Sequence, residues 1–208
     1  MSRNDKALLF INGLEPRKIP EDISAYALIV CTDGAYKNYA KNLPFKIDCV
    51  SGDWDSLSPD EIPEGIETIE TPDQNRTDFQ KTLEILVEKG FAEVDVYGAS
   101  GKESDHFIGN IAAALEFKNR LKIIFYDDIS MFFFSDKITH LQQVKGKVIS
   151  LIPFFKAENI VTKGLQYPLN QENLTFPERI GTRNIASDDE VEISYSGGEL
   201  LIYVGNSF

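Results

Sequence analysis

Residues 66–97 read IETIETPDQNRTDFQKTLEILVEKGFAEVDVY and contain the parts of a strand–helix–strand unit. Short runs rich in Ile and Val predict strands at Ile66–Glu70 and Val94–Tyr97. Between them, Thr77-x-x-Gln80 forms a capping box, apolar residues follow at helical spacing, and a glycine ends the helix. Two strands joined by such a helix pair in parallel in one sheet, so this stretch predicts an α/β fold.

The same alternation extends from the start of the chain to about Asp127. A second helix is predicted from about Ser104 or Asp105 to Asn119, where apolar residues recur at helical spacing. The other predicted strands are Ala7–Ile11, Tyr26–Cys31, Ile47–Val50 and Leu121–Tyr126. These strands are mostly apolar on both faces, as strands of a covered parallel sheet are. We therefore predict a doubly wound α/β domain with a mainly parallel sheet over residues 1–128.

Helical patterns disappear after Asp127. The predicted strands of this half are Ser130–Phe134, Ile138–Gln143, Val148–Pro153, Ile160–Leu165, Val191–Tyr195 and Leu200–Val204. The tripeptide Ser196-Gly197-Gly198 predicts a hairpin turn between the last two. The least regular stretch, Asn170–Ser187, is interpreted as a long functional loop. Residues 129–208 are therefore predicted to form an antiparallel β-sandwich or open barrel.

Composition and charge restrict the class of protein. The 208 residues are 42 % apolar and carry a formal net charge of −12, which disfavours a nucleic-acid partner but allows a nucleotide whose phosphates are neutralised by a divalent cation. The sequence has neither an apolar run of membrane-spanning length nor a signal-peptide pattern, and we expect no membrane partner. Cys31 and Cys49 both lie in apolar segments and are expected to be buried and reduced in a cytoplasmic protein.

Aspartates follow successive predicted strands. They are Asp33 after the second strand, Asp53 and Asp55 after the third, Asp73 and Asp78 after the fourth, and Asp105, followed by His106, after the fifth. The carboxyl ends of parallel strands meet at one edge of the sheet, where ligands bind. Each aspartate taken singly is also explained by a turn or a helix cap. Together, beside the small-residue turn Gly98-Ala99-Ser100-Gly101, they indicate Mg²⁺ and a nucleotide.

These segments resemble the thiamin pyrophosphokinase family. The similar segments in the first half are Thr32-Asp33-Gly34-Ala35, Gly52-Asp53-Trp54-Asp55-Ser56, Asp73 to Lys81, and Gly98-Ala99-Ser100-Gly101 through Asp105-His106 to Gly109-Asn110-Ile111. In the second half they are Gly164 to Leu169 and Gly181-Thr182-Arg183-Asn184. The resemblance covers nearly the whole chain, and four motifs in the same order are more specific than any one alone.

The resemblance implies an activity and an assembly. Residues 1–128 would form the ATP-binding catalytic domain, and residues 129–208 a β-sandwich that binds thiamin and dimerises. With Mg²⁺, pyrophosphate would pass from ATP to the thiamin hydroxyl, giving thiamin diphosphate and AMP. The active sites would lie at the interface of a homodimer.

The resemblance also implies roles for individual residues. Asp78 and Asp105 are the candidate catalytic residues, and Asp53, Asp55 and Asp78 the candidate metal ligands. The candidate ATP-binding residues are Asp33, Asp73, Gln74, Asn75, Lys81, Ser100, Gly101, Lys102 and His106. The candidate thiamin-binding residues are Tyr167, Thr182 and Asn184.

Two positions depart from the family pattern. Gly101-Lys102-Glu103 stands where the family usually has Gly-Gly-Arg before its Asp-His pair, so an acid replaces an arginine expected to meet phosphate. Lys102, one position earlier, is the candidate replacement for that charge. Arg183 stands where the family usually has a small serine.

Two other functions are consistent with parts of the sequence. Asp53-x-Asp55 with Asp127 and Asp128 is similar to the motif of aspartate-nucleophile phosphatases. Those enzymes place it on the first strand of their fold, whereas here it follows the third, and the Asp127 pair lies at the domain junction. A non-catalytic thiamin or nucleotide sensor would keep the binding residues but lose a metal ligand. Production of AMP from ATP only when thiamin is present separates these alternatives from the kinase.

Overall fold

The computed structural model describes residues 6–207, and it describes side chains for residues 6–205. These residues fall into two compact units that divide between Asp128 and Ile129. We call them the N-terminal unit and the C-terminal unit. No helix in the described part of the chain is long and apolar enough to cross a membrane.

The N-terminal unit contains six parallel strands in the order β4-β3-β2-β1-β5-β6. Their bounds are β1 Lys6–Phe10, β2 Leu28–Thr32, β3 Cys49–Gly52, β4 Glu67–Glu70, β5 Glu93–Tyr97 and β6 Lys122–Tyr126. The predicted parallel sheet is thus confirmed. The strand order reverses at the β1–β5 pair, which is where open α/β sheets bind their ligands.

Three helices accompany this sheet: α1 Asp33–Asn38, α2 Asp78–Glu88 and α3 Ser104–Phe117. The predicted capping box begins α2, because Thr77 Oγ1 accepts the Gln80 N–H (3.2 Å) and Gln80 Oε1 accepts the Thr77 N–H (3.1 Å). Helix α1 was not predicted, since its six residues are too few to show a period and its Asp-Gly start resembles a turn.

The helices lie on both faces of the sheet, as the doubly wound prediction requires. Side chains of α1 join a core cluster with Phe10 and Tyr126. Phe79 of α2 instead packs against Phe125 of β6, with ring centroids 5.8 Å apart. Phe125 and Tyr126 are successive strand residues and point to opposite faces. Cys31 and Cys49, on neighbouring strands, are both buried and free.

The C-terminal unit is antiparallel in all of its strand pairings. Its strands are β7 Ser130–Phe134, β8 Ile138–Gln142, β9 Lys147–Lys163, β10 Asn170–Thr175, β11 Gly181–Ile185, β12 Glu190–Ser194 and β13 Gly197–Ser207. The long β9 organises the unit. Strands β13 and β12 pair along one of its edges, and β11 and β10 along the other. Apolar side chains from five of these strands form one core cluster.

Three details of this half were predicted wrongly. Val148–Pro153 and most of Ile160–Leu165 belong to the single strand β9, which ends at Lys163. The polar middle of β9 keeps its pairing with β13 despite a bulge at Phe155 (φ 64°). The proposed loop Asn170–Ser187 contains strands β10 and β11. Most of their side chains are exposed or only partly buried, so the alternation that marks a half-buried strand is weak there.

The third detail is the hairpin expected at Ser196-Gly197-Gly198. Strands β12 and β13 instead pair with β9 one after the other, Ser194 opposite Val161 and Gly197 opposite Glu158. Gly198 has φ 75°, and a Cβ there would overlap the carbonyl oxygen of Lys156. The glycine pair therefore allows close contact between backbones rather than a two-residue turn.

Candidate active site

A cavity of about 340 Å³ lies at the carboxyl ends of the parallel strands. It is lined by the loops that follow β1 and β5 and by the first turns of α2 and α3. The lining residues are Ile11, Asn12, Gly13, Thr32, Asp53, Arg76, Thr77, Asp78, Phe79, Lys81, Ala99, Ser100, Lys102, Glu103, Asp105, His106, Gly109 and Asn110. The site therefore lies where the strand order reverses, as the topology requires.

The loops after β1 and β5 touch each other and form one wall. The Leu14 N–H donates to the Ser100 carbonyl oxygen (2.8 Å). A Cβ at Gly13 would overlap the carbonyl oxygens of Gly98 and Ser100, so only glycine fits there. Asn110 of α3 secures the second loop by donating to the Ala99 carbonyl oxygen (2.9 Å). Small residues thus bring two backbones together beside the cavity.

Asn12 is a cavity residue that the sequence analysis missed, together with Ile11 and Gly13. Its Oδ1 accepts one hydrogen bond from Lys102 Nζ (2.9 Å) and another from Asn38 Nδ2 (2.7 Å). A signal was present, because the Asn12-Gly13 pair lies just beyond the end of β1, at the same edge of the sheet as the predicted aspartates.

Lys81 provides a buried positive charge near the floor of the site. Its side chain is 7 % exposed, and its Nζ lies 2.8 Å from Asp78 Oδ1 and 3.7 Å from Asp53 Oδ2. It also donates to the Thr71 carbonyl oxygen (2.8 Å). Lys81 and Asp78 lie three positions apart on α2 and so share a face of the helix. The ammonium therefore joins the loop after β3 to the first turn of α2.

Asp53 is held as a carboxylate. Partial burial raises the pKa of this carboxyl, but hydrogen bonds from the Asp55 N–H (3.2 Å) and Gln74 Nε2 (3.1 Å), with the charge of Lys81, lower it below its usual range. Gln74 thus reaches the site through Asp53 rather than by lining the cavity. An ionised Asp53 can pair either with a metal cation or with the Lys81 ammonium.

Asp33 lies behind the cavity and is 2 % exposed. Burial, together with the negative charges of Asp78 and Asp53, raises its pKa above the usual range, although N–H groups of Gly34 and Ser56 oppose the shift. Its Oδ2 is buried without a hydrogen-bond partner among the described residues. Gly52 makes room for this carboxylate, because a Cβ there would overlap Asp33.

The carboxylates fit Mg²⁺ in their chemistry, since hard divalent cations prefer oxygen ligands. Asp33 Oδ2 lacks a partner, and Asp53 and Asp78 face the same ammonium. Within residues 6–205, however, no three Asp, Glu, His or Cys side chains are arranged to hold a metal ion. The donors are of the right kind, and the Lys81 ammonium lies beside two of them, Asp53 and Asp78.

The first turn of α3 carries a group of exposed polar residues. Asp105 Oδ1 accepts the N–H of His106 (3.0 Å), and His106 Nε2 lies 3.5 Å from Glu103 Oε2. Asp105 faces the cavity and is a candidate proton acceptor. Arg76 also lines the cavity, but its guanidinium pairs with Glu116 and with Glu84.

Several predicted site residues do not line the cavity. They are Asp33, Asp55, Asp73, Gln74, Asn75 and Gly101. Asp73 Oδ1 accepts the N–H and the side-chain amide of Asn75 (2.9 and 3.0 Å), which fixes the loop before α2. Asp55 is exposed beside Asp53. Gly101 adopts φ 88° in the loop before α3.

The predicted thiamin-binding residues lie in the C-terminal unit. Tyr167 is 66 % exposed, and Thr182 is exposed on β11. Asn184 Oδ1 accepts the N–H groups of Tyr167 (3.1 Å) and Ile185 (2.9 Å), and its Nδ2 donates to the Tyr167 carbonyl oxygen (2.7 Å). Asn184 therefore holds the main chain of Tyr167 and leaves the ring exposed. Arg183, with φ 58°, donates its N–H to Ser150 Oγ (3.0 Å).

Comparisons with known proteins agree with the family resemblance. The family model "Thiamin pyrophosphokinase, catalytic domain" matches residues 20–125, and "Thiamin pyrophosphokinase, vitamin B1 binding domain" matches residues 136–200. Thiamine pyrophosphokinase 1 of Oryza sativa subsp. japonica is 27 % identical over 219 residues, covering 90 % of this chain and 83 % of that protein. Thiamine pyrophosphokinase of Bacillus subtilis is 26 % identical over 161 residues, covering 73 % of this chain and 75 % of that protein.

Solved structures show the same fold. The thiamin pyrophosphokinase family protein of Enterococcus faecalis has a TM-score of 0.83 at 20 % identity and covers 98 % of this chain and 100 % of that one. The Bacillus subtilis thiamine pyrophosphokinase has a TM-score of 0.81 at 20 % identity, covering 97 % and 100 %. The two family models match consecutive stretches of both units, and the first covers half of the chain. The chain therefore belongs to the thiamin pyrophosphokinase family.

Proposed function

We propose that this chain transfers a pyrophosphoryl group from ATP to the hydroxyl of thiamin, giving thiamin diphosphate and AMP. The observation that carries the proposal is the meeting of Asp53, Asp78 and Lys81 at a cavity at the carboxyl ends of parallel strands. It occurs in a chain whose halves match the family's catalytic and vitamin B1 binding domains. Such an edge is the usual nucleotide site of an open α/β sheet.

The cavity supplies the groups that bound phosphates need. The phosphates lie against the wall formed by Ser100 and Lys102, and Lys81 holds the carboxylates that face them. His106 and the loop Asp73-Gln74-Asn75 complete the ATP site. The loop acts indirectly, because Gln74 donates a hydrogen bond to Asp53. Positioning and neutralisation of charge account for most of the catalysis of phosphoryl transfer.

Mg²⁺ is part of this proposal, with Asp53, Asp55 and Asp78 as the residues that would hold it. When bound, the cation neutralises phosphate charge and orients the phosphate chain. Asp53 is held ionised by its hydrogen bonds and by Lys81. The chain's own contribution is to keep Asp53 ionised and to hold Asp53 and Asp78 at the cavity.

The reaction exchanges one phosphorus–oxygen bond for another. The thiamin hydroxyl oxygen bonds to the β-phosphorus, and the bond from that phosphorus to the oxygen bridging the α- and β-phosphates breaks. The bond's electron pair leaves with AMP, and the hydroxyl proton passes to a carboxylate. Asp105 and Asp78 both line the cavity and are the candidates for this proton. Asp78 Oδ1 also lies 2.8 Å from the Lys81 ammonium.

Thiamin binding is assigned to Tyr167 and Thr182, with Asn184 holding the main chain of Tyr167. The thiazolium ring of thiamin is a permanent cation, and an exposed aromatic face attracts such a cation. We also propose a homodimer in which Tyr167 of one subunit serves the carboxylate site of the other. The free, buried thiols of Cys31 and Cys49 support a reducing, cytoplasmic location.

One assay tests the proposal against its alternatives. Purified protein is incubated with ATP and Mg²⁺, with and without thiamin, and the nucleotides are separated and quantified. The proposal expects equal amounts of AMP and thiamin diphosphate, formed only when thiamin is present. Release of inorganic phosphate without thiamin would instead indicate a phosphatase, and binding without turnover would indicate a sensor. Neither alternative is favoured by the family match.

A further inference from the structure

We propose that Asn12 is a positioning residue that holds the Lys102 ammonium at the cavity wall, where Lys102 supplies the phosphate-binding charge that Glu103 cannot. The inference rests on the proposed nucleotide site. It concerns a contact between the loop after β1 and the loop before α3, made by Asn12 and Lys102.

The cationic side chains around the cavity differ in the groups that they contact. The Arg76 guanidinium pairs with Glu116 and Glu84, and the Lys81 ammonium pairs with Asp78. The charges of these two residues are thus already balanced by carboxylates. Lys102 instead donates to the neutral carboxamide of Asn12 (2.9 Å). Its charge therefore remains available to an anionic ligand.

The orientation of the Asn12 side chain is fixed by its contacts. Its Oδ1 accepts from both Lys102 and Asn38, so the oxygen points to these donors and the side chain cannot rotate without losing two hydrogen bonds. Gly34 packs against the other end of the carboxamide, where a Cβ would lie 2.6 Å from Asn12 Nδ2. The next residue, Gly13, is wedged against the backbones of Gly98 and Ser100. A rigid acceptor therefore holds a flexible lysine side chain.

Glu103, the residue after Lys102, places a carboxylate beside the proposed phosphate position. Its carboxylate lies 3.5 Å from His106 Nε2, one turn into α3, and both side chains are largely exposed. A carboxylate at this position repels phosphate, so the preceding residue has to carry the positive charge. Fixing Lys102 in advance reduces the rotamer entropy that a lysine loses on binding. Asn12 thus acts on the nucleotide through Lys102.

The test is a double-mutant cycle on nucleotide binding, measured by titration calorimetry. The probe is α,β-methylene-ATP with Mg²⁺ and without thiamin, because its α–β bridge cannot be broken. Lys102→Met removes a charge-assisted contact and is expected to weaken binding about tenfold. Asn12→Ala leaves the charge but frees the side chain, and is expected to weaken binding roughly threefold, which is within the usual cost of immobilising one flexible side chain on binding. In the Lys102→Met background, Asn12→Ala is expected to have no further effect.

Two controls accompany the cycle. Lys41→Met removes the charge of an exposed lysine that does not line the cavity. This variant is expected to bind the probe with the same affinity as the unmodified protein. Asn12→Ser, whose hydroxyl is too short to reach Lys102, replaces Asn12→Ala if the latter proves unstable in thermal unfolding. Because both substitutions shrink the side chain, neither introduces a clash with Gly34.

The outcomes separate this proposal from the proposed function. Equal weakening by Asn12→Ala in both backgrounds would mean that Asn12 binds the nucleotide itself, and would overturn the positioning role. Unchanged affinity in Lys102→Met or in Asn12→Ala would also overturn it, even if thiamin-dependent AMP formation persists. Absence of AMP formation in the unmodified protein, with intact probe binding, would instead refute the proposed function and leave the positioning of Lys102 by Asn12 intact.

Discussion

The hydrogen bonds of Asn184 predict that this residue governs thiamin affinity through Tyr167. Its Oδ1 accepts two main-chain N–H groups, so both of its lone pairs are in use, and its Nδ2 donates to the Tyr167 carbonyl oxygen. Little hydrogen-bonding capacity remains for a ligand. Asn184→Ala is therefore expected to release the main chain beside Tyr167 rather than to remove a direct contact.

The structure limits how much Asn184→Ala can weaken thiamin binding. The three hydrogen bonds are each worth roughly 0.5–1.5 kcal/mol net, enough to order a short exposed segment. The ring itself contributes about 0.5–2 kcal/mol if it lies over the thiazolium, so Tyr167→Ala should weaken thiamin binding about three- to thirtyfold. If Asn184 acts only through Tyr167, then Asn184→Ala cannot weaken binding more than Tyr167→Ala does.

The assay is a thiamin titration in the presence of α,β-methylene-ATP, carried out on both single variants and on the double variant. The double variant is expected to bind thiamin as weakly as Tyr167→Ala alone. Faster hydrogen exchange of the Tyr167 and Ile185 amides in Asn184→Ala would report the lost bonds without reference to activity. Asn173→Ala is the matched control, because Asn173 Oδ1 accepts a single main-chain N–H, that of Asn159 (2.9 Å). Additive losses in the double variant would refute the reasoning, since Asn184 would then contact thiamin itself.

Three further predictions concern the proposed active site and homodimer, and a fourth concerns the stability of α2. Asp78→Asn or Asp55→Asn should keep the fold and lower turnover by orders of magnitude at any Mg²⁺ concentration; near-normal turnover at low Mg²⁺ would remove that residue from the proposed ligands. Glu103→Arg should lower the KM for ATP by adding charge at the phosphate wall, and a raised KM would count against this placement of the phosphates. Mixing Tyr167→Ala with Asp78→Asn protein should restore some activity, because one site of the mixed dimer keeps both groups; no recovery despite proven subunit exchange would place the ring in the same subunit as the carboxylate. Thr77→Ala should destabilise the protein by about 1 kcal/mol through loss of the α2 cap, which thermal unfolding would detect as a shift of roughly 2–4 °C.

The parallel sheet and α2 were predictable because their signals are local. The capping box at Thr77 and Gln80 specifies where α2 begins, and the structure forms both of its hydrogen bonds. The strand-end positions of Asp53 and Asp78 followed from the rule that carboxyl ends of parallel strands meet at one edge. Both side chains line the cavity. In these cases the local sequence and the topology agree, so no knowledge of long-range contacts was needed.

The C-terminal unit was less predictable because its strands depend on distant partners. Strands β10 and β11 are largely polar and exist because β9 offers them a long edge. The glycines 197 and 198 are equally compatible with a turn and with a close backbone contact, and only the pairing with β9 selects the second. Local propensity cannot distinguish these cases, since β structure depends strongly on its neighbours.

Within the site, the unpredicted features are the pairings between residues far apart in the chain. The aspartates at the strand ends were predicted as a set of carboxylates that binds a cation. In the structure, the buried Lys81 ammonium already lies between two of them, Asp53 and Asp78. Lys81 was recognised as part of a motif, but nothing in the local sequence shows that its ammonium reaches across to Asp53. Asn12 was missed because its importance comes from Lys102, which is 90 residues away. A sequence pattern identifies which residues reach an edge, whereas their pairings depend on which loops the sheet brings together.

The departure at Glu103 shows why these pairings matter when a family motif is applied to one chain. Judged by residue identity, an acid in place of an arginine removes a phosphate contact. Judged by charge and position, the adjacent Lys102 restores the charge, and the neutral acceptor Asn12 keeps that charge from being cancelled. An aspartate at position 12 would hold Lys102 equally well but would neutralise it, because an ion pair leaves no net charge for the phosphate. The geometry therefore favours a carboxamide over a carboxylate at this position, on an edge of the sheet where most other strand ends carry aspartate.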